Sequence, residues 1–300
     1  MRIATIDIGT NSAKMLIAEV NPQTREIKPI REEISLCRLG EGSQKDKILK
    51  PHAIDRTLEG LKKFKKMGDD YGVQNFLVAA TMCTRRAENK QEFLERVENE
   101  TQWPVWVMTG EEEAQTSYKG ARSLFFDLEG PVGAIDIGGG SSEWIYDPAD
   151  NSDPRVFSME LGSVHETEQF FASQPPSLEA ILKLRNYIEA RLKQLTQNLF
   201  PAEEAHFLGI GGTVVNISLM IQPSGKLDPI RYSDLSNLVN KLSEMTTDER
   251  IASYPKLEKG RADVILAGAM ILQSSMNFFN KQKCLVSYRG LRYGLIPSAF

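Results

Sequence analysis

The 300-residue chain is poor in cysteine and histidine, with three of each: Cys37, Cys83 and Cys284, and His52, His165 and His206. An odd, dispersed set of cysteines argues against a disulfide framework and for a reducing compartment. Histidines so spread leave neither a zinc-ligand spacing nor a Ser/His/Asp triad to be read. A basic excess is also missing. With 36 Lys+Arg against 40 Asp+Glu the net charge is −4, the wrong balance for a protein that binds nucleic-acid duplex. Any polyanionic partner must therefore be gripped by a local cluster of Arg, Lys, backbone amides and metal in a pocket. No apolar run approaches the ~20 residues of a membrane span. Met1-Arg2-Ile3-Ala4 runs straight into an apolar segment, so neither a signal peptide nor a membrane association is expected, and the expected location is cytoplasmic. No Walker sequence, low-complexity tract or linker is present.

What is present is the composition of a globular protein, 41% hydrophobic and 25% charged, at a length that suits two domains. Two stretches say nearly the same thing. Thr5-Ile6-Asp7-Ile8-Gly9-Thr10-Asn11-Ser12 returns to apolar residues at Met15-Leu16-Ile17. Ala134-Ile135-Asp136-Ile137-Gly138-Gly139-Gly140-Ser141-Ser142-Glu143 returns at Trp144-Ile145-Tyr146. Each reads as strand, tight turn, strand. Glycine permits close approach and unusual dihedrals, and Asn and Ser satisfy local hydrogen bonds. Such a turn aims N–H groups at an anion, and the Asp at its mouth suits a metal that bridges phosphate oxygens. Two copies imply duplicated domains facing each other across a phosphate site.

Between and after these turns the pattern alternates strands and helices. Residues 26–35, 75–80 and 104–108 read as strands, and a helix opens at Pro51 with Ile54, Leu58, Leu61 and Phe64 on one face. Residues 40–46 read as a mobile surface loop, with a lid as the functional alternative. In the second half, 132–137, 143–146, 155–160, 206–210 and 284–287 read as strands, and 178–199 as a long amphipathic helix. Residues 223–230 read as a loop, and helices are expected from Ser233 and Thr247. Arg261-Ala262-Asp263-Val264-Ile265 reads as the charged start of a buried helix. Gly209-Ile210-Gly211-Gly212-Thr213 falls short of a dinucleotide fingerprint, because Val214 stands where its third glycine belongs.

Two further features carry candidate chemistry. Arg85-Arg86, at a strand end before a helix from Asn89, reads either as a phosphate clamp with a rigid donor fork or as a solvated surface pair. Glu111-Glu112-Glu113 opens a helix, where acidic residues favour the dipole. That start would also hold one carboxylate at a fixed place, as a general base requires; spacing does not say which of the three.

Taken in order, these residues resemble the exopolyphosphatase/guanosine pentaphosphate phosphatase family, within the actin-like, sugar-kinase and heat-shock-chaperone superfamily. The resemblance spans nearly the whole chain. It runs through Asp7 to Ser12, Ala80-Thr81 with Arg85, Ala87 and Asn89, and Gly110 to Ala114. It continues through Asp136 to Glu143, Leu161 to Val164, Gly211-Gly212-Thr213, Arg261 to Ile265, and Ser287 with Gly290-Leu291-Arg292.

The resemblance implies an α/β fold of two actin-like (ribonuclease H-like) domains, with mixed sheets flanked by helices and an active site in the cleft between them. The expected spans are 1–121, with 285–300 packing back onto it, and 122–284. The implied activity is Mg²⁺-dependent hydrolysis of the terminal phosphoanhydride of inorganic polyphosphate, or of guanosine pentaphosphate at its 5′ end. Glu113 is implied as the base on water, with Arg85 beside it. Phosphate is implied to bind through Asp7, Gly9, Asn11 and Ser12, through Gly138, Gly139, Gly140 and Ser141, and through Gly212, Thr213, Arg85 and Arg261. Asp136 and Glu143 are implied as magnesium ligands, and Arg292 is a weaker candidate for the arginine set. Members are often homodimers, a state nothing in this sequence establishes.

Two residues depart from the family pattern: Arg86 and Tyr293 each stand where glutamate is common. The chain also stops short of the helical C-terminal domains of longer members, which extend the polyphosphate channel. A superfamily kinase is disfavoured by Glu113 at the hydrolytic position. A sensor binding alarmone or polyphosphate without turnover is disfavoured by the presence of both Glu113 and Glu143.

Overall fold

The computed structural model describes residues 1–21, 23–24, 26–150, 152–195, 205–222, 224 and 227–299. The chain divides into two compact units, Met1–Gly120 with Arg289–Phe300, and Ala121–Tyr288.

The first unit is built on a five-stranded sheet. Its strands are β1 (Arg2–Ile8), β2 (Ala13–Val20), β3 (Ile27–Ser35), β4 (Asn75–Ala80) and β5 (Val105–Val107), in the order β3-β2-β1-β4-β5. β2 is antiparallel to β1 and β3, while β4 runs parallel to β1 and β5. β1 sits at the centre with both faces covered, so Ile3 to Ile6 are fully buried. Alternation sorts its side chains. Ala4, Ile6 and Ile8 pack with Ile54, Leu58, Leu61 and Phe64 of helix α1 (Pro51–Asp70). Ile3 packs on the other side with Leu16, Ala18, Tyr293 and Ile296. That second face is closed by the returning C-terminal segment, with helix α11 (Leu291–Leu295).

The strands of the first sheet are followed by α2 (Met82–Arg86), α3 (Lys90–Thr101) and α4 (Gly110–Arg122). The five-residue α2 occupies what the sequence presents as a simple strand end before the helix at Asn89, too short a turn to show periodicity.

The second unit repeats the scheme with one strand added. Its strands are β6 (Val132–Ile137), β7 (Ser142–Asp147), β8 (Arg155–Met159), β9 (His206–Ile210), β10 (Ile230–Arg231) and β11 (Lys283–Ser287), in the order β10-β11-β9-β6-β7-β8. Read from β8, the antiparallel β8-β7-β6 and parallel β6-β9-β11 reproduce β3-β2-β1-β4-β5. The duplicated hairpin is thus part of a duplicated sheet. β11 stays in this sheet through Ser287. The chain therefore rejoins the first unit at Arg289 rather than at the expected 285.

The helices of this unit are α5 (Ser163–Phe170), α6 (Leu178–Leu192), α7 (Gly211–Ile221), α8 (Tyr232–Ser243), α9 (Thr247–Ser253) and α10 (Ile265–Phe278). α5 was not expected. α10 is apolar on every side because α5, α6, α7 and α8 all pack against it. It begins at Ile265; Arg261 closes a 3-10 turn (Lys259–Arg261) instead of opening the helix. α6 ends at Leu192, and the last residues of the longer helix expected there, 196–199, lie outside the described residues, as do 223, 225 and 226 of the expected loop. Among the described residues no helix is long and apolar enough to cross a membrane.

Candidate phosphate and carboxylate site

Both glycine turns are closed in the same way. Gly9 N–H donates to the Ser12 carbonyl at 3.1 Å, and Gly138 N–H to the Ser141 carbonyl at 2.9 Å. Each turn is then pinned from one side. In the first, the Thr10 and Asn11 carbonyls accept from Gly40 N–H (3.0 Å) and Arg38 N–H (2.8 Å). In the second, the Gly138 carbonyl accepts from Ser163 N–H (3.0 Å), and the Gly139 carbonyl from Val164 (2.8 Å) and His165 (3.1 Å). A trans peptide points its N–H opposite to its C=O. The amides of Asn11 and Ser12, and of Gly139 and Gly140, are therefore turned away from the pinning segments. Successive amides so presented form a nest suited to an anion. Residues 40–43, the start of the stretch read from sequence as a mobile surface loop, are tied down: Gly40 N–H is held by the Thr10 carbonyl, and Ser43 Oγ donates to the Gly40 carbonyl at 2.8 Å.

Charge separates the two copies. Directly across the first hairpin Asp7 faces Lys14, with Nζ 3.8 Å from the Asp7 carboxylate. At the same place in the second, Asp136 faces Glu143. Directly opposed residues share a sheet face with Cβ atoms about 5 Å apart, and like charges there repel. Glu143 is 1% exposed, and its Oε1 accepts from Ser158 Oγ at 2.9 Å. Two opposed carboxylates beside an amide-lined turn fit magnesium, which is held by one or two carboxylates together with water and substrate phosphate. Among the described residues no group of three or more His, Cys, Asp or Glu is placed to hold a metal on its own.

The rest of the second-unit set gathers at the same strand ends. Thr213 Oγ1 donates to the Ile137 carbonyl at 2.9 Å, fastening the start of α7 to the end of β6. Gly211, at φ +87°, has the Asp136 carboxylate against it: a Cβ there would lie 2.7 Å from Oδ1. Gly212 receives the Arg261 guanidinium, whose Nη2 would lie 2.5 Å from an added Cβ. Arg261 Nε donates to Glu258 at 2.6 Å. Asp136, Gly138 to Ser141, Glu143, Gly212, Thr213 and Arg261 thus form one constellation at the carboxyl ends of β6 and β9. Ligands bind there in open α/β sheets.

In the first unit the corresponding ends belong to β1, β4 and β5. Thr81 N–H donates to the Ile8 carbonyl (3.2 Å) and Met108 N–H to that of Ala80 (3.0 Å). This places α2, with Arg85, and α4, with Glu113, around the loop that carries Asp7, Gly9, Asn11 and Ser12. The acidic triplet is sorted by its hydrogen bonds. Thr109 and Glu112 form a reciprocal cap, Glu112 accepting from Thr109 N–H at 2.8 Å and Thr109 Oγ1 from Glu112 N–H at 3.1 Å. Glu111 is exposed and accepts from Gln115. Glu113 is half-buried and lies 3.1 Å from Arg85 Nη1, which also donates to the Met108 carbonyl at 2.7 Å. A Thr-x-x-Glu spacing was available in the sequence to assign Glu112 to the cap.

Arg292 is engaged in holding the sheet. It pairs with Glu32 at 3.0 Å and donates to the Met15 carbonyl at 3.0 Å. Tyr293 donates to the same Glu32 at 2.7 Å. The cysteines are buried, and burial pushes the Cys83 and Cys284 thiols up to about 12, far from reactivity.

A duplicated mixed sheet, with an amide-lined turn in each copy and an acid or an arginine at each set of strand ends, defines an actin-like protein with turns suited to an anion. Residues 16–300 match the Ppx/GppA phosphatase family, and the chain belongs to that family. It is a phosphoanhydride hydrolase.

The chain is 33% identical over 298 residues to the bifunctional 3-dehydroquinate synthase/phosphatase of Fusobacterium nucleatum, covering 95% of this chain and 44% of that protein. It therefore spans less than half of that relative. It is 29% identical over 287 residues to exopolyphosphatase 2 of Mycobacterium tuberculosis, covering 91% and 89% of the two chains. The crystal structure of the Aquifex aeolicus Ppx/GppA family member superposes with a TM-score of 0.80 at 30% identity, covering 100% of this chain and 97% of that one.

Proposed function

We propose that the protein is an exopolyphosphatase, removing orthophosphate from the end of inorganic polyphosphate in the presence of Mg²⁺. The observation that carries this reading is the singling out of Glu113. Of three adjacent acids it alone is held by an arginine at the strand ends, where a base for water is required. Support also comes from the exopolyphosphatase relative that matches this chain over most of both lengths.

In this mechanism Glu113 orients and deprotonates the attacking water, and Arg85 fixes the carboxylate through the 3.1 Å contact. The amides of each turn, and in the second unit the Arg261 guanidinium, are the groups suited to phosphate oxygens. Phosphoryl transfer depends on positioning and charge neutralisation more than on covalent catalysis. Asp136 and Glu143 would hold magnesium, which when bound neutralises charge on the phosphate oxygens. The proton taken by Glu113 is returned to solvent after orthophosphate leaves.

Phosphate release from short polyphosphate, long polyphosphate and guanosine pentaphosphate, measured with Mg²⁺, tests the assignment. Faster turnover of either polyphosphate is the expected result. A ranking led by guanosine pentaphosphate would make the protein the family's nucleotide phosphatase. Binding of all three without release would replace the hydrolase with a sensor.

A further inference from the structure

The second glycine turn rests on a support the sequence reading did not anticipate. Its carbonyls sit on the first amides of α5, and Gly162, just before that helix, lies flat against it: a Cβ on Gly162 would come within 2.5 Å of Gly139 C and O. The Gly162 N–H donates in turn to Glu166 Oε1 at 3.3 Å. Glu166 is 1% exposed, and its second oxygen is buried without a hydrogen-bond partner. A buried carboxylate with one oxygen unsatisfied is costly.

We propose that Glu166 is a positioning residue for the phosphate turn, holding Gly162 and thereby Gly138 to Ser141 in place, and that its protonation loosens the turn's grip on phosphate. The ionised acid accepts a charge-assisted hydrogen bond from Gly162, roughly twice as strong as a neutral one. The neutral acid accepts only weakly. Burial pushes the Glu166 carboxyl up to about 7, opposed by the Gly162 hydrogen bond and by the Arg191 charge. Other titratable and charged groups surround it. α6 contributes Tyr187 and Arg191, and Glu160 acts on the Tyr187 side. α10 carries no titratable residue. On α5 itself the others are His165 and Glu168. Arg191 offsets the negative charge of the ionised acid, so the stronger hydrogen bond outweighs repulsion of the anion.

The inference rests on the turn's taking phosphate, so binding is read separately from hydrolysis. Calorimetric titration of inorganic phosphate, with Mg²⁺ present, is carried out from pH 6 to 8 on wild type and Glu166→Gln. Gln keeps an acceptor oxygen and cannot ionise. Phosphate's own titration is common to both proteins, so the ratio of their Kd values isolates Glu166.

The ratio of Glu166→Gln to wild type should be near one at pH 6 and rise to roughly fivefold by pH 8, the gap between a neutral and a charge-assisted hydrogen bond. Glu166→Leu, if folded, should bind phosphate more weakly at both ends of the range. A ratio that stays flat, or that falls with pH, overturns the proposal. Wild type that binds phosphate with the expected pH dependence but releases none from polyphosphate would retire the hydrolase reading alone.

Discussion

Gly162→Ala adds one methyl group at a position whose backbone, φ −136° and ψ 156°, any residue adopts. The substitution therefore acts through space alone. The new carbon would lie 2.5 Å from Gly139 C and O, with Gly140 C closer still. Carbon pairs rest at about 3.5–4.0 Å, so the overlap is roughly 1 Å or more. Its partners are main-chain atoms, which cannot swing aside as a side-chain tip does. The turn must retreat by a comparable distance. Overpacking of this kind costs about 1–3 kcal/mol of stability. A displacement near 1 Å of a positioning group costs about 10²-fold in rate.

Thermal unfolding and kcat/KM for phosphate release from polyphosphate should show both losses. Gly130→Ala supplies the contrast, because its φ of +83° makes alanine strained while nothing lies within 4 Å. It should lose about 1 kcal/mol and keep wild-type kinetics. Folded Gly162→Ala with kcat/KM within about threefold of wild type would refute the claim that the α5 segment sets the turn's position.

Glu166→Gln also changes stability with pH. The folded protein raises this carboxyl from its ordinary 4.5 to about 7, so folding favours the protonated form. That contribution is complete below pH 4.5 and is lost as pH rises through 7. The variant should gain on the order of 3 kcal/mol over wild type at pH 8 and nothing at pH 4, read by denaturant unfolding. Arg85→Ala removes the contacts to Glu113 and the Met108 carbonyl, and should lower kcat by about 10²–10³; wild-type kcat would leave Arg85 with no part in the reaction. Glu143→Gln removes one of two opposed carboxylates and should raise the Mg²⁺ concentration for half-maximal activity by about tenfold or more. An unchanged metal requirement would place the ion elsewhere.

Much of the architecture is legible because it is carried by apolar pattern. β1 and β6 announce themselves as buried runs ending in Asp and glycine, and α1 shows one face of Ile54, Leu58, Leu61 and Phe64. α5 is hidden for the opposite reason. The residues it buries include Ser163, His165, Glu166 and Thr167, so its packed face looks polar in sequence. α2 is a single short turn that no periodicity can mark.

The start of α10 is misplaced because an apolar run does not reveal where a 3-10 turn ends. Within the site, the duplicated turns are readable, but the contrast of Lys14 with Glu143 needs strand register. The sorting of Glu111, Glu112 and Glu113 needs hydrogen bonds, although the Thr109-to-Glu112 spacing offered a hint. Arg292 shows the limit of residue type as a guide: an arginine near the C-terminus suits phosphate, yet this one is spent on Glu32 and Met15.

The most direct test of the account is single-turnover phosphate release from polyphosphate by Glu113→Gln, beside a direct measurement of polyphosphate binding. Gln preserves size and one acceptor oxygen but cannot take a proton from water. The account predicts release slowed by about 10²–10⁴, with affinity for the chain close to that of wild type. Release at the wild-type rate would show that another group activates the water, and the assignment built on Glu113 and Arg85 would fall.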